Sequence, residues 1–327
     1  MGSSEKDLSD GVKHIAMTHF LQENEEKSPD LFIRNSQREL WNEILSYIEI
    51  TYSSHAIITG NPGIGKSRSM AYFLRLLLQK GKTVIYETRK DKIAFIFIPQ
   101  EDGKYKVWGA GLEGFSHYNC ASLKDPKNYY LIDLTKDNEK IVQVPAHTIV
   151  SASPRVYFNL KDFKERESTI QFIMPIWKKE EIKVLCQFIP VNEKNLTDEE
   201  FQDRYTFFGG RIRYIFSSKP EYYTKGIKDS IYSLTLDQLR NIIKNPLIKP
   251  SFNIETGPSM IFVYDEKETN KNSKYKYEMV EQNYTVKLGS ESITQYIIFS
   301  YWEHLKEFLN PSGLYYKSNP LFCGHIF

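Results

Sequence analysis

Apolar positions recur along this chain with two periods, and the switches between them mark its elements. Leu40, Ile44, Leu45 and Ile48, with Trp41 beside them, keep the three-and-four spacing of a helix that buries one face. The run His55-Ala56-Ile57-Ile58-Thr59 is continuous instead, the pattern of a strand covered on both faces. Residues 66–78 return to a helical pattern and stop at Lys80-Gly81. Residues 83–87 predict a short buried strand, and 93–98 with 104–108 predict a hairpin around Glu101-Asp102-Gly103. Residues 129–133, 148–151 and 169–174 are further predicted strands, with a helical stretch at 154–163. Upstream, residues 12–22 predict a short helix before the break at Ser28-Pro29.

The character changes at Trp177. Helices are predicted over 180–188, 198–208 and 235–243, a hairpin from 260–264 and 275–280 across the polar 267–273, and a last helix over 291–309. Four segments result: an N-terminal helix and linker (1–30), a strand-rich core (31–175), a helical lid (176–245) and a C-terminal α+β region (246–327). No internal repeat is visible.

Between the first buried strand and the next helix lies Gly60-Asn61-Pro62-Gly63-Ile64-Gly65-Lys66-Ser67, followed by Arg68. It satisfies G-x-x-x-x-G-K-[ST], the P-loop, at every fixed position. Glycines permit backbone dihedrals that turn successive N–H groups inward as an anion nest. The helix that starts there points its positive end at the same place. Residues 60–68 are therefore expected to hold a nucleotide, ATP with Mg²⁺. Lys66 would reach the β- and γ-phosphates, and the Ser67 hydroxyl would ligate the metal.

Such a site needs a carboxylate at the end of another core strand. Asp133, after Tyr129-Tyr130-Leu131-Ile132, has that position and is expected to join Ser67 at Mg²⁺. The next residue is Leu134, so no Glu follows to position an attacking water. Asp137 and Glu139, on a following loop, and Glu87, closing its own predicted strand, are the alternative carboxylates for that task. Binding is thus a firmer expectation than fast hydrolysis. The hydroxyl of Ser151 or Ser153, at the tip of the strand at 148–151, and Arg155 after it are candidates to sense the γ-phosphate. Gly209-Gly210-Arg211-Ile212-Arg213 follows the second lid helix and could return a guanidinium to the nucleotide; Arg213 is preferred over Arg211.

Composition narrows the partners. With 43 basic and 41 acidic side chains the net charge is +2, which gives no overall pull toward nucleic acid or anionic membrane. Two basic-aromatic stretches still count as candidate nucleic-acid faces: Lys161, Lys164 and Arg166 with Phe158 and Phe163, and Lys271, Lys274 and Lys276 with Tyr275 and Tyr277. Cys120, Cys186 and Cys323 are odd in number and far apart, which argues against a zinc site or disulfide framework and for a reducing intracellular compartment. No run approaches the roughly 20 apolar residues of a membrane span, and residues 1–10 lack a secretory signal pattern.

The ordered set of motifs resembles the NTPase module of Crinkler effectors and retrotransposon hot spot proteins. It runs from Leu31-Phe32-Ile33-Arg34 and Trp41 through the P-loop to Val150-Ser151-Ala152-Ser153-Pro154-Arg155. It continues through Met174-Pro175-Ile176-Trp177 and Glu180-Glu181-Ile182 to Arg204-Tyr205 and Phe208-Gly209-Gly210-Arg211-Ile212-Arg213-Tyr214. The resemblance implies an α/β P-loop NTPase of the ASCE, AAA+/STAND-like kind. It would be a parallel sheet with a helical lid and a small C-terminal appendage. It also implies ATPase activity that is slow or set by a partner, in an effector acting in a host nucleus. Self-association and a DNA or nuclear protein partner are the interactions it suggests. The chain shows no leader motif of the Crinkler type and stops at Phe327, about where that group continues into an effector domain. No nuclease chemistry is expected of the residues present.

Overall fold

The computed structural model describes residues 5–16, 30–50, 54–134, 140–153, 156, 160–166, 168–191, 195–235, 237, 262–266, 275–278 and 284–305. The chain divides into two compact units. One comprises Met1–Gly60, Gly65–Met174 and Lys274–Met279; the other comprises Asn61–Ile64, Pro175–Ser273 and Val280–Phe327.

The first unit is built on a seven-stranded sheet. Its strands are β4 (His55–Thr59), β5 (Val84–Thr88), β6 (Ile93–Pro99), β7 (Tyr105–Gly111), β8 (Tyr129–Asp133), β9 (His147–Ser151) and β10 (Thr169–Ile173), in the spatial order β10-β4-β9-β8-β5-β6-β7. The five strands from β10 to β5 are parallel, and β6 and β7 extend the sheet as an antiparallel hairpin. All residues of β4, β5, β8 and β9 are buried, which explains why they read as continuous apolar runs rather than alternating ones. On one face Ile57, Ile85, Tyr130, Ile132 and Val150 pack with Leu123, Ile141, Val144 and Phe163. β7 is the open edge, and its Val107 and Trp108 are about half exposed.

Helix α1 (Asn35–Ile50) buries Leu40, Trp41, Ile44, Leu45 and Ile48, the stripe predicted from spacing. Helix α2 (Lys66–Gln79) begins directly after the glycine-rich loop. Trp41 joins the two helices: its ring stacks on Phe73 at 4.1 Å and its Nε1–H donates to Ser69 Oγ at 2.6 Å. Short helices α3 (Ala121–Lys124) and α4 (Lys161–Lys164) lie in the connections.

Two expectations are corrected in this unit. Residues 12–15 form a strand, not the start of a helix. β1 (Glu5–Asp7), β2 (Val12–Ile15) and β3 (Leu31–Arg34) make a separate antiparallel sheet. Pairing with β1 on one side and β3 on the other overrides the local pattern, and Val12 and Ile15, three apart and so on opposite faces of the strand, are both buried. Residues 275–278 do not pair with residues 262–264, which belong to β11 (Phe262–Glu266) and pair with β12 (Tyr284–Leu288). They lie along β10, where Phe172 bridges Glu278 and Ile173 N–H donates to Tyr277 O at 2.9 Å. Glu39 and Glu43 of α1 fasten them: Tyr277 Oη donates to Glu39 at 2.7 Å, and the N–H groups of Lys276 and Tyr277 donate to Glu43 at 3.0 Å.

The second unit contains α5 (Lys179–Leu185), α6 (Asp198–Phe208), α7 (Ile212–Ile215), α8 (Pro220–Tyr232), β11 (Phe262–Glu266), β12 (Tyr284–Leu288) and α9 (Glu291–Leu305). Thr197 and Glu200 cap α6 reciprocally, each accepting the other's backbone N–H, at 3.2 and 2.9 Å. The partner of β11 is β12, in antiparallel register from Phe262↔Leu288 to Glu266↔Tyr284. The predicted helix at 235–243 and the end of the predicted 291–309 helix fall largely outside the described residues. Among the described residues no helix is long and apolar enough to cross a membrane.

Candidate functional site

In the first unit the glycine-rich loop leaves the C-terminal end of β4, a strand with parallel neighbours on both sides. Gly60 and Gly65 take φ of 140° and 95°, and Gly65 is the residue before α2. The N-terminus of α2 therefore opens at Lys66 and Ser67, both half-buried. Lys66 Nζ donates to Gly60 O at 2.7 Å, so the ammonium folds back over the loop that carries it. Arg68 donates to the Asp30 carbonyl at 3.0 Å, which directs that guanidinium to the N-terminal sheet.

Register brings Asp133 to the same level. Ser151 of β9 is aligned with Ile58 on one side and Asp133 on the other. Thr88 of β5 is aligned with Asp133 beyond it. The ends of four adjacent parallel strands thus line up, with the loop at one and Asp133 at another. Alternation puts Asp133 on the face of Leu131, opposite the Tyr130 and Ile132 cluster. Asp133 as a whole is 4% exposed. Among the described residues no three His, Cys, Asp or Glu side chains converge as a metal site. Ser67 and Asp133 are hard oxygen donors, one neutral and one anionic. That donor set suits Mg²⁺, which takes one or two protein ligands and leaves the remaining positions to water and phosphate.

Glu87 stands differently. It shares a face with Ile85 and so points away from the side of Asp133. It is fully buried, accepts from His117 Nε2 at 2.8 Å, and is contacted by Tyr130 Oη and Arg89 Nε. Burial works to raise its pKa. The hydrogen bonds from His117 and Tyr130, with the Arg89 charge, outweigh that and hold it below the ordinary carboxylate value. The arrangement ties the 112–120 connection to the sheet.

Ser153 Oγ accepts from Val156 N–H at 3.4 Å, and Arg155 lies outside the described residues. The aromatic members of the two basic stretches are inward where described. Phe163 is 2% exposed with Arg166 folded over it at 4.5 Å, and Tyr275 and Tyr277 are buried. Lys276 pairs with Glu39, and Phe158, Lys271 and Lys274 are outside the described residues.

In the second unit Asn61–Ile64, the tip of the loop, is held by two segments of that same unit. Arg213 N–H donates to Gly63 O at 3.1 Å, and Trp177 Nε1–H donates to Ile64 O at 2.8 Å. Gly63, at φ 79°, leaves room for Arg213: a Cβ there would come within 2.9 Å of Arg213 Cβ. The Arg213 side chain itself is exposed. Arg211 is fully buried, which pushes its pKa down to about 10. It packs where a Cβ on Gly289 would be 2.4 Å from its Nη2, so its place is in the core of the second unit.

Sequence reasoning singled out Trp177 and the Gly209-Gly210 pair without seeing what they touch. The usable signal was the glycine doublet, because two glycines after a helix end announce a close backbone approach. Trp177 N–H donates to Gly210 O at 3.2 Å, and a Cβ on Gly210 would fall 2.2 Å from Trp177 O.

No protein-family model matches the chain. Crinkler effector proteins 15 and 16 of Phytophthora infestans are each 27% identical to it over 165 residues, which is 49% of this chain. That stretch spans a quarter of the length of those relatives. Two RuvB structures from Thermotoga maritima, one a mutant and one described as the Holliday junction branch migration motor, align over 66% of this chain and 70% of theirs. The identity is 14% and 13%, and the TM-score is 0.33 in both cases. The chain is thus an α/β protein with a mostly parallel sheet and a distant, partial likeness to Crinkler effectors.

Proposed function

We propose that this chain is a P-loop ATPase module that binds Mg²⁺–ATP and uses its nucleotide state to control a domain attached to it or a partner. One observation carries the reading: G-x-x-x-x-G-K-S joins a central parallel strand to a helix, and register sets Asp133 level with that strand's end, across β9. The order of the five parallel strands, β10-β4-β9-β8-β5, supports a P-loop fold of the ASCE kind. In this reading the backbone N–H groups of the loop and the α2 N-terminus bind the phosphates. Lys66, now bonded to Gly60 O, would supply its ammonium to phosphate oxygen. Ser67 and Asp133 would hold Mg²⁺, which would supply positive charge against the phosphates.

Turnover is expected to be slow. Leu134 follows Asp133 and is buried, and Glu87 is spent on His117, Tyr130 and Arg89. The water-positioning group would then come from a partner or a second copy. The partial Crinkler likeness supports an effector-type role for the whole protein.

Calorimetric titration with Mg²⁺–ATP tests the reading, with Lys66→Ala in parallel. Micromolar binding that weakens at least a hundredfold in the variant is expected. Equal affinity in both chains would remove the P-loop claim. Phosphate release measured alongside separates an ATPase from a nucleotide-binding switch. DNA added at low salt tests the nucleic-acid alternative.

A further inference from the structure

The geometry points to Trp177 as a positioning residue of the nucleotide-binding loop, acting through its indole N–H. The inference deepens the function proposed above and rests on it. A loop that wraps an anion must turn N–H groups inward. Each trans peptide carries its carbonyl opposite its N–H, so the matching carbonyls face outward. In a buried loop those carbonyls need donors.

Gly63 and Ile64 are both buried, and their consecutive carbonyls each have a donor from the lid. The Gly63 carbonyl takes the Arg213 N–H at 3.1 Å, and the Ile64 carbonyl takes the Trp177 indole at 2.8 Å. The peptides so held carry the N–H groups of Ile64 and Gly65. Pinning the oxygens outward aims those two donors into the nest. Trp177 is 2% exposed, so its N–H has no bulk water to turn to and the pairing is mutual.

The backbone of Trp177 is placed in turn by Gly210. Trp177 N–H donates to Gly210 O at 3.2 Å, and a Cβ on Gly210 would lie 2.9 Å from Trp177 N and 2.2 Å from its O. A glycine there is what permits the approach. The ligand concerned is the β-phosphate of a nucleoside di- or triphosphate, because that group occupies the nest. ATP and ADP should depend on Trp177 equally, and AMP should not.

The test replaces the Trp177 indole by its benzothiophene isostere, which keeps ring size and removes only the N–H. Dissociation constants for Mg²⁺–ATP and Mg²⁺–ADP are expected to rise about tenfold, or about 1.4 kcal/mol, by a common factor. AMP competition should stay as in the parent chain. Gly210→Ala, which displaces the Trp177 backbone, should give the same selective loss. Combined with the isostere it should add less than the product of the two effects. Parent-like ATP and ADP affinity in the isostere would overturn the inference while leaving the P-loop reading standing, and so would a loss that extends equally to AMP. A parent chain that binds neither ATP nor ADP removes both.

Discussion

Arg213 closes over Gly63: its N–H reaches the glycine carbonyl at 3.1 Å, and its Cβ stands where a Cβ at Gly63 would be 2.9 Å away. Gly63 also sits at φ 79°, where other residues are strained. Gly63→Ala should therefore lower stability by about 1–3 kcal/mol and weaken nucleotide binding together. Chemical denaturation and a fluorescent ATP analogue read the two effects. A substitution neutral in both would mean that the loop relaxes away from Arg213.

The proposed function gives Asp133 to the metal and not to the phosphates. Asp133→Asn should retain metal-free ATP binding and lose most of the gain that Mg²⁺ gives, on the order of tenfold to a hundredfold in affinity. Titrations with Mg²⁺ and with EDTA separate the two. An intact Mg²⁺ dependence would take Asp133 out of the site.

Glu87 should matter to the fold first. Glu87→Ala strands His117, Tyr130 and Arg89 around an empty position, and loss of one partner in a buried ionic cluster costs about 3–5 kcal/mol. Because its folded pKa is lowered, the Glu87 contribution is present above the ordinary carboxylate range and fades as pH falls below it. Thermal melting of Glu87→Ala checks the stability claim. Lost turnover with an unchanged melting midpoint would instead return Glu87 to the water-positioning role.

His55 supplies a pH dependence of its own. Burial, then the charges of Arg166 and His147, push its pKa from 6.5 down to about 4. The unfolded chain then binds the proton more readily. Stability contributed by neutral His55 is complete above about pH 6.5 and is lost as pH falls toward 4, by on the order of 2–3 kcal/mol. Urea denaturation from pH 7 to 4, with His55→Leu beside the parent, isolates this slope. A parallel slope in the variant would assign the acid sensitivity to other groups.

Local signals carried much of this fold. The loop at 60–67, the buried runs of β4, β8 and β9, and the apolar face of α1 could be read because each is written in a few consecutive residues. What could not be read depended on distant partners. Val12 and Ile15 make a strand only because Leu31–Arg34 lies beside them. Tyr275 and Tyr277 alternate like a hairpin strand, yet their neighbours are β10 and two glutamates of α1. The places of Lys66 at the start of α2 and of Asp133 at the end of β8 were legible from motif and strand pattern. The bond from Trp177 to Ile64 spans 113 positions, and nothing in the spacing of either residue encodes it.

The strip at residues 275–278 has a consequence for synthesis. Strand β10 ends at Ile173, and the Tyr277 carbonyl it pairs with emerges from the ribosome about 100 residues later, or roughly 5–20 s at ordinary elongation rates. For that interval the β10 edge of the nascent sheet has no strip beside it, while α1 already holds Glu39 and Glu43 ready for Tyr277 and Lys276. The first unit is completed only after much of the second has been translated, so a chain stopped near residue 245 leaves the ribosome with that seam still open.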